Sequence, residues 1–297
     1  MRFAAVVVVT AWMVVSPAAR ADIAPDTFHG GSGLQIDPAQ PDATALAGKI
    51  QMKKERVTIT LHQTPQGAFA VVDAAFSMSG PPGKAAALKI AFPGQGVRVG
   101  GAFVVHPPLI GFRAFVDGKP VAVHVDEKTH TSKSGPPGRE YSRSRTETWH
   151  GFPAAVDDDT TIRVRYAVAA AGVRDSDGAD VEPWASVSYI LHTGALWAGD
   201  IGEAVVEVKA APGVDLTATS LRTLSMPPVS LVSLKGDGPP PPVVPAGAVR
   251  SGAAITWTAQ HLEPTPGDDV EVVFPGRAGS WGAPSAELAA LMAAAVR

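Results

Sequence analysis

The chain has 297 residues, no cysteine, and a formal net charge of −3 from 25 basic and 28 acidic side chains. Without cysteine there is no disulfide, no thiolate metal site and no thiol catalysis. The near-neutral balance supplies no basic field for nucleic acid or anionic lipid, so no nucleic-acid partner is expected.

The first segment, residues 1–21, reads as a signal peptide. Arg2 supplies a positive start, Phe3 to Val15 is apolar except for Thr10, and Ser16-Pro17 breaks a helix. Ala19 and Ala21 are the small residues a signal peptidase needs, and the apolar run is too short to span a bilayer. Cleavage near Ala21 leaves Asp22 as the mature start, with a periplasmic or secreted address. No later run is long enough for a membrane helix, so no membrane-spanning segment is expected.

Beyond the loose Gly30, Gly31 and Gly33, short segments alternate apolar and polar residues, the period of a half-buried strand. Val57, Ile59 and Leu61 face one way against Arg56, Thr58, Thr60 and His62. Ala70, Val72, Ala74, Phe76 and Met78 make the next inward set. Asp117-Gly118 between two alternating arms predicts a two-residue hairpin, with Pro120 placing one arm on an edge. In the arm that follows, Val121, Val123 and Val125 take the buried phase. Glu127–Ser144 reads as a polar linker. Ile162, Val164, Tyr166 and Val168, then Ala204, Val206 and Val208, then Val270, Val272 and Phe274, repeat the alternation.

With 30 glycines and 27 prolines, turns should be many and helices few. The predicted fold class is all-β: two tandem antiparallel β-sandwich domains with a short C-terminal helix. The first domain covers residues 22–130 and the second 141–277, with a Pro-rich loop near 225–250 around Pro239–Pro242. The helix covers 284–297, capped by Ser285, with Leu288, Leu291 and Met292 on one face. Phe92-Pro93-Gly94 and Phe274-Pro275-Gly276 each close a strand, a hint of duplication.

No Gly-x-Ser-x-Gly elbow, zinc-protease helix motif, P-loop or dinucleotide-binding glycine pattern occurs, so no catalytic residue is assigned. Two polar clusters are metal candidates. Asp175, Asp177 and Asp180 surround Gly178, a pattern that can wrap calcium with carboxylate oxygens; a solvated Asp/Gly loop is the plainer reading. His124 and Asp126 share one face of a strand, and His130 can fold back from the following loop to give a zinc-type set. Alternation alone also places polar residues there. Asp157-Asp158-Asp159 reads as a solvated turn. Trp149, Trp184, Trp197, Trp257 and Trp281 are read first as core, with exposed sugar-stacking faces as the alternative.

The stretch Tyr189-Ile190-Leu191-His192-Thr193-Gly194-Ala195-Leu196-Trp197-Ala198-Gly199-Asp200-Ile201 reads as strand, turn, strand, with positive φ available at Thr193-Gly194. Taken with Glu55–Leu61, Ala75-Phe76, Ala91-Phe92-Pro93 and the run from Trp257 through Leu262-Glu263-Pro264 to Val270, it resembles the DUF4424 group of bacterial exported proteins. The resemblance departs from that pattern after Phe76, where Ser77-Met78-Ser79-Gly80-Pro81-Pro82 stands in place of an aromatic and an Asn-Gly turn. It implies an uncharacterised exported protein and brings no activity or site residue. The functional expectation is a non-enzymatic envelope protein that binds an envelope protein or polysaccharide through sandwich loops or edges. No cofactor is expected, the one exception that the Asp175–Asp180 loop would allow being calcium. The alternatives are a metal-dependent hydrolase and a carbohydrate-binding module.

Overall fold

A computed structural model describes residues 35–36, 43–93, 97–100, 102–105, 108–134, 141–174, 180–226, 242–252, 254–278 and 283–297. The signal segment 1–21, residues 175–179, Pro239–Pro241 and Trp281 lie outside the described residues. In chain order the first strands are β1 (Gln35–Ile36), β2 (Gln51–Thr64), β3 (Gly67–Ser79), β4 (Ala86–Pro93), β5 (Val97–Gly100) and β6 (Ala102–Val105). They continue as β7 (Ile110–Val116), β8 (Lys119–Val121), β9 (His124–Ser134), β10 (Tyr141–Val156), β11 (Thr160–Ala169) and β12 (Ala171–Arg174). The last third adds β13 (Asp180–Tyr189), β14 (Ile201–Ala210), β15 (Ser220–Thr223), β16 (Val249–Arg250), β17 (Ala254–Leu262) and β18 (Val270–Pro275). Among the described residues the helices are α1 (Ala43–Ala47) and α2 (Ala286–Val296).

The fold is all-β and sandwich-like. Its backbone is an eight-stranded sheet in the order β16-β17-β14-β2-β3-β11-β7-β8, faced by two four-stranded sheets, β1-β4-β10-β9 and β12-β13-β18-β15. Strands β5 and β6 form a separate hairpin. The inward phase of the wide sheet is the one the alternation predicts: Val57, Ile59, Leu61, Val72, Phe76, Ile162, Val164 and Val206 are all buried. They join Leu88, Ile90 and Phe92 of β4 and Val270, Val272 and Phe274 of β18 in one core. Phe112 stacks on His150 at 4.5 Å and on Tyr166 at 6.0 Å, tying β7, β10 and β11 through their rings.

The sheets do not follow the expected division between residues 130 and 141. The eight-stranded sheet takes strands from both sides of it, and β9 pairs with β10 from Ser134↔Tyr141 to His124↔Gly151. The described parts of the segment read as a polar linker, 127–134 and 141–144, are therefore paired strand arms. Polar residues on both faces conceal such a strand from a hydrophobic-period reading, because the backbone ladder needs no apolar face. The sheets are also not wholly antiparallel, since β14 runs parallel to β2. That pair joins the two halves of the wide sheet.

The two Phe-Pro strands occupy like places. β4 and β18 each lie inside a four-stranded sheet against a hairpin arm, with Pro93 opposite Trp149 and Pro275 opposite Trp184. Phe92 and Phe274 are fully buried.

The Asp117-Gly118 turn joins β7 to β8 with φ of 49° and 73°, the left-handed pair that a type I′ hairpin requires. Pro120 lies on β8, the terminal strand of its sheet, where a missing N–H breaks no ladder. Val125 departs from expectation: it is 56% exposed, since beyond Val121 the chain leaves the wide sheet and the buried phase is lost.

Helix α2 packs Leu288, Met292 and Val296 on Phe69, Val71, Ala167 and Ala169, outward-facing residues of β3 and β11. Leu291, expected on the same face, is exposed, because the contact follows an i, i+4, i+8 line. Ser285 accepts the Leu288 N–H at 3.2 Å as the N-cap. Ser285→Ala is expected to cost about 1 kcal/mol, read as faster amide exchange confined to the first turn of α2.

Candidate functional site

The outer face of the eight-stranded sheet is polar where α2 leaves it uncovered. Successive strands place side chains there in rows fixed by register. One row runs Arg56, Ala75, Arg163 across β2, β3 and β11; the next runs Glu207, Thr58, Asp73, Arg165 from β14 to β11; a third runs Lys209, Thr60, Val71. All of these but Glu207 line an open groove of about 490 Å³. It exists because small residues, Ala75 and the threonines, alternate with long cations on a twisted sheet.

The charges are partly paired. Arg163 makes a two-point bond to Asp73, with Nε donating to Oδ1 at 2.6 Å and Nη2 to Oδ2. That contact raises the Arg163 pKa and commits the Asp73 carboxylate. Glu207 takes Lys209 at 3.0 Å, Arg56 at 3.9 Å and the Thr58 hydroxyl at 3.4 Å. Arg165 donates through Nη2 to Ala295 O at 3.1 Å, at the C-terminal end of α2 where a cation is favoured. Its Nε is buried with no acceptor among the described residues. Four cations and the Asp73 carboxylate thus line one groove, with Glu207 at its edge, and Arg56 and Lys209 hold about half of their side-chain surface in solvent.

A second polar assembly lies inside the core. Glu55 is 2% exposed, at a position in phase with Val57, Ile59 and Leu61. Tyr189 donates its hydroxyl to Glu55 Oε1 at 2.8 Å. Asp269, also buried, accepts the Leu191 N–H at 2.8 Å and the His192 N–H at 3.0 Å, and pairs with His192 Nδ1 at 2.7 Å. Burial is the main reason the Glu55 pKa rises from 4.5 to about 8; the Tyr189 bond lowers it and the Asp269 charge raises it further. Burial first, then the charge of Glu55, pushes Tyr189 well above its ordinary value. Glu55 is therefore a neutral acid near pH 7, sealed from solvent, which suits holding the core together rather than turning over a substrate. The signal for it is visible in the sequence: a carboxylate on the apolar phase of a strand.

The metal candidates divide. His124 Nε2 lies 3.2 Å from Asp126 Oδ2, both exposed, as their shared strand face predicts. His130 does not fold back to them. It sits further along β9 opposite Arg145, and six residues of extended strand span about 20 Å. The continuation of the strand where a loop was expected separates them. Asp175 and Asp177 lie outside the described residues, and Asp180 opens β13 opposite Arg174. Among the described residues no group of three or more His, Cys, Asp or Glu is placed to hold a metal ion. Asp157 behaves as a turn residue: its Oδ1 accepts from Asp159 N and Thr160 Oγ1, which lowers its pKa.

Trp184, Trp197 and Trp257 are buried, as core aromatics should be, and Trp149 is half-buried. Trp197 closes the one-turn 3₁₀ segment His192–Leu196, its N–H donating to Gly194 O at 3.2 Å. Gly194 is needed there for space and not for positive φ: a Cβ would stand 2.5 Å from Ile201 Cδ1. The positive φ of this connection falls at Gly199. Among the described residues no helix is long and apolar enough to cross a membrane.

No family model matches the chain, and no curated protein matches it. Several solved structures are similar in fold. One, from Legionella pneumophila and provisionally named as a nutrient binding protein, is 18% identical over 82% of this chain and 71% of its own, with a TM-score of 0.48. The M1 zinc metallopeptidase of Deinococcus radiodurans is 10% identical over 76% of this chain, with a TM-score of 0.33. Yeast LTA4 hydrolase with bestatin is 9% identical over 80%, with a TM-score of 0.36. This chain spans 42% of the peptidase and 31% of the hydrolase.

Proposed function

We propose that this chain is a non-enzymatic binding protein of the bacterial envelope, exported by residues 1–21, and that it recognises its partner on the outer face of the eight-stranded sheet. The observation that carries this reading is the groove bounded by Arg56, Arg163, Arg165 and Lys209. It combines concavity, solvent access and several charged side chains on rigid strands, the features of a recognition site. The other titratable assembly, Glu55 with Tyr189, is closed to solvent, and the groove's Asp73 is held by Arg163 rather than poised beside a nucleophile. Sandwich edges and loops are the expected recognition elements; the groove shifts that role to a sheet face.

The test is retention of envelope material from the producing cells on immobilised protein. Wild-type protein is expected to retain a component that the Arg56→Glu/Lys209→Glu double variant does not. Equal retention by both proteins would sink the groove as the recognition surface. N-terminal sequencing of the mature protein is expected to start at Asp22, and an intact Met1 would remove the export reading.

A further inference from the structure

We infer that the outer-face groove takes an acidic oligosaccharide, one that carries spaced carboxylates and free hydroxyls; this rests on the binding reading above. The cations do not all converge on one point: Arg56 and Lys209 both approach Glu207 Oε2, at 3.9 Å and 3.0 Å, while Arg163 is held apart from them by Asp73. Arg56 and Arg163 lie two strand steps apart in the same row, about 10 Å. Glu207, which gathers Arg56 and Lys209, and Asp73, which holds Arg163, lie two strand steps apart in the next row, about 10 Å. A single phosphate cannot reach them all, whereas an extended chain with separated charges can.

The remaining lining selects among extended anions. Asp73 and Glu207 stand between the cations in the same groove or at its edge. They repel a densely charged polyanion, and they accept hydrogen bonds from ligand hydroxyls, as do Thr58 and Thr60. Two carboxylates beside four cations therefore match a ligand with both anions and hydroxyl donors and a low charge per length. The lining holds no aromatic ring, so neither a neutral sugar nor a nucleobase finds a stacking platform. Arg163, whose Nε and Nη2 bind Asp73, has only its Nη1–Nη2 edge left for a ligand carboxylate, in an orientation that the Asp73 pair fixes.

The experiment is calorimetric titration of the purified protein with trigalacturonate, maltotriose and tripolyphosphate, at low and high salt. Trigalacturonate is expected to bind about tenfold more tightly than either competitor, with affinity falling as salt rises. Arg56→Ala and Lys209→Ala are each expected to weaken it by about tenfold with an unchanged melting midpoint, since both side chains are largely in solvent. Binding of maltotriose as tightly as the uronate would overturn the role of charge. Tighter binding of tripolyphosphate would overturn the low charge density. Uronate binding that both variants leave intact would overturn the location. If no probe binds, the ligand class is wrong, while envelope retention that depends on Arg56 and Lys209 would still uphold the groove as a recognition surface.

Discussion

Glu55→Gln is expected to make the protein more stable above pH 8 and to abolish a decline in stability that the wild type shows between about pH 6.5 and 8. The Glu55 pKa in the folded chain is about 8, against an ordinary 4.5. Between those values the folded state keeps a proton that the unfolded state has released, so stability falls as pH rises and levels only once the folded carboxylate ionises. At about 1.4 kcal/mol per pH unit, the whole span amounts to on the order of 5 kcal/mol. His150, buried against Phe112 and pushed down to about 4, acts in the opposite sense. Its contribution is present above its unfolded value near 6.5 and is lost as pH falls toward 4; His62, also shifted down by burial, adds to that limb. Between pH 4.5 and 6.5 the slopes of Glu55 and His150 offset each other, and only the alkaline decline remains visible. Glutamine keeps an acceptor for the Tyr189 hydroxyl without a titrating proton. Denaturant midpoints at pH 6 and pH 9 check this: if both proteins fall equally between the two, Glu55 is not the group responsible.

Trp197→Ala is expected to lower stability by about 3–5 kcal/mol, the cost of emptying a large aromatic site in a packed core. Trp197 is 4% exposed and belongs to the central cluster with Ile201 and Leu191. It seals the short turn that carries the chain from β13 in a covering sheet to β14 in the wide sheet. A melting midpoint unchanged from wild type would assign Trp197 to the surface instead.

No single stretch of the sequence marks the outer groove. Arg56, Thr58 and Thr60, or Arg163 and Arg165, read along their own strands as the ordinary wet face of a half-buried sheet. Only the order β14-β2-β3-β11 places Lys209, Arg56 and Arg163 around one floor, although they are separated by up to 153 residues in the chain. The sharper sequence candidates were local clusters. Of these, His124 and Asp126 do meet, because a strand brings i and i+2 to one face, while His130 is carried away by the same strand geometry. Glu55 was legible from its phase, but its partner Tyr189 lies 134 residues away and was not.

By itself the sequence determined the all-β class, the inward phase of the main strands, the Asp117-Gly118 hairpin, the edge position of Pro120, the capped terminal helix and the core character of Trp197 and Trp257. Each depends on a period of two or a turn a few residues long, which composition and spacing encode directly. Tertiary structure decided the rest: the parallel β14–β2 pair, the wide sheet drawn from both halves of the chain, the seat of α2 on Phe69 and Val71, the Glu55–Tyr189 bond, and the groove. These depend on which strands become neighbours. Alternation fixes which face of a strand is buried and is silent about the strand it lies beside, because any apolar face can cover any other.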